Sequence, residues 1–409
     1  MSPWRRTAEK EFLKMSNIRN VGEMVESNHD EYNRQRFVSI LRKRVLMDFA
    51  SDMKTIYQKK VEPNFEKKNG RKPKDGREIR KAMLHEPVFE GWSSLRYNAQ
   101  LMTWWSVQPA IERSLDELIQ AAKDAKAANP AGGSLELNPD VDVPREITEL
   151  DVHLMPGCFH TEYTDDDVAQ GAVYHYGTTV FSGGLPHRRI TKGGVASSIA
   201  NYLKLAYPDF KPERILDMGC TAGANTTPYK EVYPDAEVHG IDVGAPLLRF
   251  GHARAEAEGM ALHFKQANAV ETGYPDNHFD IITSSFFFHE VSVPDTKKIF
   301  EECHRILKPG GLMLHMELPP ADLTDPYYNF YLDWDAFYNN EPHYEKFRGL
   351  DFPKTLAQCG FKEDKQMMVR IPNFASTPPE EFKAVATGEE TLRRDHGNGA
   401  VWFTFGGWK

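Results

Sequence analysis

The run ILDMGCTAGANTTPYKEVYPDAEVHGID, residues 215–242, constrains this chain more than any other feature. A short apolar strand ends in Asp217, and a tight glycine-bearing turn follows. A helix is predicted to start near Ala222–Asn225, and a second strand ends 25 residues after Asp217, in Asp242. Small residues let the backbone come close to a ligand, and a helix N-terminus favours negative groups. An acid at the second strand end can accept hydrogen bonds from both hydroxyls of a ribose. The bland reading is a strand–turn–helix without a ligand. Two acids at successive strand ends argue against it.

The surroundings repeat the pattern. From Gly193 onward a helix (GGVASSIANYLKLAYPDF) precedes RILDMGC, and strand and helix signals then alternate through EVHGID, APLLRFGHARAEAEG, LHFKQANA, FDIITSSFFF, DTKKIFEECHRILKPGG and LMLHMEL. Short apolar strands alternating with amphipathic helices predict a parallel sheet covered on both faces. Two further strand-like runs, KQMMVRIP and AVWFTFGGW, come late.

The order Asp217-x-Gly219-x-Thr221-x-Gly223 resembles the D-x-G-x-G-x-G turn of class I S-adenosylmethionine-dependent methyltransferases, with Thr221 replacing the middle glycine. QANAVETGYPDNHFDII and RILKPGGLMLHME resemble that family's third-strand region and the segment before its fifth strand. The resemblance runs from about Gly193 to Leu318 and more loosely to the C-terminus. It implies an α/β fold, a Rossmann-like doubly wound sheet of about seven strands with an N-terminal mostly helical domain. It implies S-adenosyl-L-methionine as cofactor. Asp217, Gly219, Thr221, Gly223 and Asp242 would hold the donor. Asn268 would face the adenine amino group, Ala269 would give a backbone contact, and Ser285 and Phe286 would lie near the cofactor.

At the reacting end, strand four runs into TSSFFFHEV and strand five into LMLHMELPP. His289 and Glu317 are therefore neighbours by topology although 28 residues apart. A protic nucleophile must lose a proton on methylation, and a histidine with a pKa of ~6.5 suits that task. The stretch is similar to that of plant-type small-molecule O-methyltransferases. There the matching histidine is the base and the matching glutamate orients it, with Glu290 here replacing an Asp. It also resembles ubiquinone/menaquinone-biosynthesis-type enzymes, which methylate carbon. The bland readings are a helix-capping His289 and a Glu317 that merely forms a salt bridge.

The rest of the chain is read more coarsely. Residues 1 to about 128 carry helical spacing (Phe37, Ile40, Leu41, Val45, Leu46; Ile111, Leu115, Leu118, Ile119, Ala122) until AANPAGGSLELNPDVDVP breaks it. We divide the chain into 1–150, a helical domain to which the plant-type O-methyltransferase resemblance assigns dimerisation and substrate cover; 151–192, a long ordered loop or lid; and 193–409, the part that resembles a methyltransferase domain. The lid histidines (His153, His160, His175, His187) match no metal spacing and there is no HExxH, so no metal is expected. His160 or Tyr176 could face the nucleophile, and Arg188-Arg189 could bind a carboxylate, though a surface role is the plainer reading. Tyr327, Tyr328, Trp334, Phe337 and Tyr338 follow strand five, as pocket lining or as helix core. Asn373 to Gly399 could be a second cover over the site.

Composition narrows the partners. The 409 residues hold 50 Lys/Arg and 59 Asp/Glu, a net charge of −9, which argues against a general nucleic-acid binder. Residues 1–82 are locally basic, with 21 Lys/Arg against 12 Asp/Glu, and this reads as a solvated helix face with a lysine-rich loop around 66–81. Four scattered cysteines exclude a disulfide scaffold. No apolar run approaches the ~20 residues of a membrane span, and the N-terminus lacks a secretory apolar region, so the expected compartment is cytoplasmic. The expectation is methyl transfer to a small-molecule acceptor, by O-methylation with a His base, in a homodimer. The alternatives are C-methylation, an RNA or protein methyltransferase using the basic region, and a protein that only binds the cofactor.

Overall fold

The computed structural model describes residues 18–181, 195–389 and 401–409. His187, Arg188, Arg189 and the stretch 390–399 of the expected second cover lie outside the described residues. The strands are β1 (Ser134–Glu136), β2 (Arg214–Met218), β3 (Glu237–Asp242), β4 (Leu262–Gln266), β5 (Phe279–Ser285), β6 (Leu307–Glu317), β7 (Gln366–Pro372) and β8 (Val401–Trp408). They form one sheet in the order β1-β4-β3-β2-β5-β6-β8-β7. All neighbours are parallel except β8, which runs antiparallel to both β6 and β7. The strand order reverses direction between β2 and β5, and an α/β sheet binds its ligands outside the strand C-termini at such a switch point.

The sheet is buried on both faces, so its strands read as apolar runs rather than alternations. Successive residues serve opposite cores. Ile215 packs with Val238, Ile281 and Leu312, while Leu216 packs with Ile241, Ile282 and Met313.

The helices that frame the site are α1 (His29–Lys43), α2 (Gly76–Met83), α3 (Pro87–Trp105), α4 (Gln108–Ala128), α5 (Ala169–Phe181), α6 (Val195–Ala206), α7 (Thr227–Val232), α8 (Ala245–Ala257), α9 (Val293–Ile306), α10 (Pro326–Phe337) and α11 (Pro379–Ala386). Their ends carry the expected chemistry. Asn28 and Glu31 make a reciprocal capping box on α1, and the Asp325 carboxylate accepts from Tyr327 and Tyr328 N–H at the start of α10. Helix α8 lies between layers: one side packs on β4, the other on α4 and α5. It is therefore buried almost all round.

Four expectations are corrected. Ser134–Glu136, inside the presumed linker, is an edge strand that pairs with β4. The sheet thus begins before residue 151 and has an eighth strand. The turn ahead of β1 is tied down as well, since Ala131 N–H and Gly133 N–H donate to the Glu256 carboxylate on α8 (2.7 and 2.8 Å). Second, the 151–192 stretch is not simply a loop, because α5 runs through it. Burial of this helix on most sides removes the polar face that makes a helical period visible. Third, α7 starts at Thr227 rather than at Ala222–Asn225, so the turn after β2 is longer than expected. Fourth, α11 packs on α6 and β7, and among the described residues of 373–389 none lines the cavity described below.

The basic stretch behaves as a solvated face. Arg71 pairs with Glu78, Lys72 with Glu62 and Arg77 with Glu345, while Arg80 lies 3.6 Å over the Trp334 ring.

Candidate active site

A single cavity of about 1250 Å³ opens at the C-terminal ends of β2, β3, β5 and β6. One end of it is built from the run that first drew attention. Gly219, Thr221 and Asp242 line it, with Ala267, Asn268, Ala269, Ser285, Phe286, His289 and Glu290 beyond.

Asp242 is buried and both of its oxygens are engaged by backbone. Oδ2 accepts from Thr221 N–H and Oδ1 from Gly244 N–H, each at 2.9 Å. Burial pushes its carboxyl pKa up, and these donors oppose the shift. The grip fixes the carboxylate while leaving lone pairs toward the cavity. Thr221 keeps the turn expected of glycine at a cost: its φ is 48°, a left-handed conformation that β-branched residues rarely adopt. Gly223 has φ of 74°, and a Cβ there would lie 2.7 Å from Phe264 Cζ.

Two predicted donor residues lie behind the lining rather than on it. Gly223 packs on Phe264, as above. Asp217 is buried in β2, with its Oδ2 accepting from the Thr226 hydroxyl (2.7 Å). Burial and the nearby Asp242 raise its pKa to about 7 against that hydrogen bond. Asn268 does line the cavity, but its side chain is spoken for: Nδ2 donates to Asp142 O (2.9 Å) and Oδ1 accepts from Val270 N–H (3.0 Å). Ser285 presents a buried hydroxyl with no partner among the described residues. Phe286 has φ of 56° and sets its ring edge-on to His289 and to Trp402.

The other end centres on His289, in the turn Phe288–Glu290 after β5. Its Nδ1 donates to Glu317 Oε2 (2.7 Å). Glu317, at the end of β6 and fully buried, also accepts from Phe288 N–H (2.6 Å), His289 N–H (3.3 Å) and Leu318 N–H (3.2 Å). So the predicted pair meets, and Glu317 fixes both the ring and the turn that carries it. The other ring nitrogen, Nε2, faces Glu290 Oε1 at 3.4 Å.

Sequence reasoning missed the far side. His153 Nε2 lies 2.8 Å from the same Glu290 Oε1, and its Nδ1 lies 3.0 Å from Glu341 Oε1. The result is a continuous line, Glu317–His289–Glu290–His153–Glu341. Burial works against charge on the rings, but Glu317 and Glu290 hold His289 well above the ordinary histidine range. For His153, Glu290 and Glu341 outweigh burial and push the pKa up to about 10. The imidazoles in turn hold the Glu290 carboxyl well below its ordinary value, despite its burial. His153 had a visible signal, its place in the histidine-rich stretch. Glu341 had none.

The other two described histidines of that stretch, His160 and His175, do not join. His175 Nε2 meets Gly22 O, and His160 does not line the cavity. Tyr176 donates to Val21 O instead of facing the site, whereas Tyr174, two residues earlier, does line it. Of the aromatic run after β6, Tyr327 and Tyr328 reach the cavity together with Tyr331 and Tyr344, which were not singled out. Trp334 and Tyr338 pack against the helical half, and Phe337 is exposed.

Residues 215–311 match the family described as a methyltransferase domain. A demethylmenaquinone methyltransferase of Thermus thermophilus is 38% identical over 109 residues, covering 27% of this chain and 49% of the relative. A ubiquinone/menaquinone biosynthesis C-methyltransferase of Vibrio parahaemolyticus is 34% identical over 128 residues, covering 29% and 49%. This chain thus spans about half the length of the curated relatives it matches. Among solved structures, phosphoethanolamine N-methyltransferase 2 of Haemonchus contortus, in complex with S-adenosyl-L-methionine, shares 20% identity over 54% of each chain, with a TM-score of 0.34. Among the described residues no helix is long and apolar enough to cross a membrane. The region that carries the glycine turn, Asp242 and the strand-four turn is a class I S-adenosylmethionine-dependent methyltransferase domain.

Proposed function

We propose that the whole chain transfers the methyl group of S-adenosylmethionine to an oxygen, or a similar protic heteroatom, of a small acceptor with an apolar body. The observation that carries this reading is the continuity of one cavity from the Gly219–Asp242 grip to the His289–Glu290–His153 cluster, beneath a wall of Tyr327, Tyr328, Tyr331 and Tyr344. The sulfonium supplies the electrophilic carbon, so the protein's task is alignment and proton removal. Asp242 takes the ribose, Gly219 and Thr221 allow backbone approach, and Ala269 and Asn268 border the base. The acceptor hydroxyl then meets the His289 end. His289, oriented by Glu317, is the nearest group to promote loss of its proton. To take that proton directly, Nε2 must be released from Glu290.

A second reading, transfer to an activated carbon, is favoured by the names of the curated relatives. Candidate acceptors incubated with ¹³C-methyl donor and followed by NMR separate the two. An O–CH₃ carbon resonance supports the first reading, and a C–CH₃ resonance supports the second. Pairing of two chains through the helical half belongs to the same proposal, supported by the exposed Phe37 and Ile40 on α1. Sedimentation of a monomer at micromolar concentration would remove that part.

A further inference from the structure

We propose that His153 Nε2, His289 Nε2 and the Glu290 carboxylate form a divalent-cation site of the two-histidine, one-carboxylate type at the acceptor end of the cavity. The site stands on geometry alone. Only its use in catalysis rests on the methyltransferase reading above.

Three observations carry it. First, ligand-type atoms of His153, His289 and Glu290 all lie within 4.8 Å of one another. The two imidazole nitrogens approach one carboxylate oxygen at 2.8 and 3.4 Å. Ligands of a tetrahedral zinc-type ion sit about 3.3 Å apart for bonds near 2.0 Å, so to admit a cation the His153–Glu290 pair must spread from 2.8 Å while the widest separation, up to 4.8 Å, must close. Second, both rings are oriented from behind by carboxylates: Glu317 holds Nδ1 of His289 and Glu341 holds Nδ1 of His153. A histidine that binds a metal through one nitrogen characteristically donates its other N–H to a carboxylate or carbonyl, which fixes the tautomer. Here that arrangement occurs twice, and both Nε2 atoms converge. Third, among the described residues no hydrogen-bond donor is well aligned on either Glu290 oxygen, although the side chain is largely buried.

The backbone invests in the same point. His153 and Leu154 are consecutive non-glycine residues with φ of 56° and 55°. The His153 carbonyl is held by Gln100 Nε2 (2.9 Å) and Trp104 Nε1 (2.7 Å) of α3. Strain of this kind persists where the surroundings over-determine it, and it clusters at functional sites.

A donor set of two imidazoles and one carboxylate suits a borderline cation such as Zn²⁺, Fe²⁺ or Co²⁺; Mg²⁺ and Ca²⁺ prefer all-oxygen shells. An acceptor hydroxyl bound to that cation releases its proton to water more readily. Its oxygen then bonds to the methyl carbon as the S–CH₃ bond breaks, the electron pair stays on sulfur, and the cation is unchanged. His289 serves in this state as a ligand.

The test uses the full chain, dialysed against a chelator and titrated with Co²⁺. The expected result is one equivalent bound with visible d–d absorption, weakened at least 100-fold by His153→Ala and by Glu290→Gln. Glu341→Gln should weaken it by about 10- to 100-fold. Absence of stoichiometric uptake by protein that retains its circular dichroism, or uptake indifferent to His153→Ala and Glu290→Gln, overturns the site; the five groups are then an ion-pair network only. S-adenosylmethionine binding is measured in parallel by calorimetry. Donor binding without cobalt uptake sinks the cation site alone. Cobalt uptake without donor binding sinks the methyltransferase reading and supports the site.

Discussion

The two ends of the cavity are built in opposite ways. The donor end comes almost entirely from one contiguous stretch, Gly219 to Phe286, in which β3 and β5 hand their last residues, Asp242 and Ser285, to the cavity. The acceptor end gathers His153, His289, Glu317, Glu341 and four tyrosines from segments nearly two hundred residues apart. The donor end is held by backbone: Thr221 and Gly244 N–H fix Asp242. The acceptor end is held chiefly by side chains facing side chains, with Glu317 alone anchored on backbone N–H groups. A reaction with a constant donor and a variable acceptor calls for this division, because a backbone grip tolerates sequence change and a side-chain cluster does not.

Substitution on each side should separate the two ends. His289→Ala is expected to lower kcat by ~10²–10⁴ while leaving the donor Kd within a few-fold, by steady-state kinetics and calorimetry. Equal loss of both would mean that the two ends are one unit. Asp242→Ala should weaken donor binding by about 100-fold, since a buried acceptor is lost and two N–H groups are stranded. An unaltered Kd would move the donor elsewhere.

The third expectation concerns pH in the metal-free protein. The His153 pKa stands at about 10 in the fold against ~6.5 unfolded. Its raised value stabilises the fold fully below pH ~6.5, and that contribution is lost as pH rises through about 10. Denaturant midpoints should therefore fall between neutral pH and pH 10, and this fall should shrink in Glu341→Gln. A flat profile would remove the charged description of the acceptor end. The smallest effect is expected at Thr221→Gly, which relieves a left-handed β-branched residue and should raise stability by about 1 kcal/mol. A lower thermal midpoint would show that the threonine side chain earns its place, through Tyr174 beside it.

The same division explains what the sequence disclosed. The strand–turn–helix period, the spacing of Asp217 and Asp242, and the neighbourhood of His289 and Glu317 follow from local pattern and parallel topology. All of these reappear in space. What stayed hidden depended on burial or distance. Helix α5 is packed on most sides and shows no polar stripe. Glu341 meets His153 across 188 residues of sequence, and no spacing rule couples them. Asp217 and Gly223 belong to the motif, yet they serve the turn from behind. A motif marks which residues shape a loop without saying which of them a ligand touches.

Strand β1 carries a last consequence. By pairing with β4, with the turn ahead of it tethered to Glu256, three residues from the first half cover the outer edge of β4 with a shorter edge strand. A polypeptide cut at residue 151 would bare the backbone N–H and C=O groups of Leu262–Gln266 as a template for strands of other chains. The helical half thus protects its companion from self-association, and shortened versions of this protein should precipitate before they lose their secondary structure.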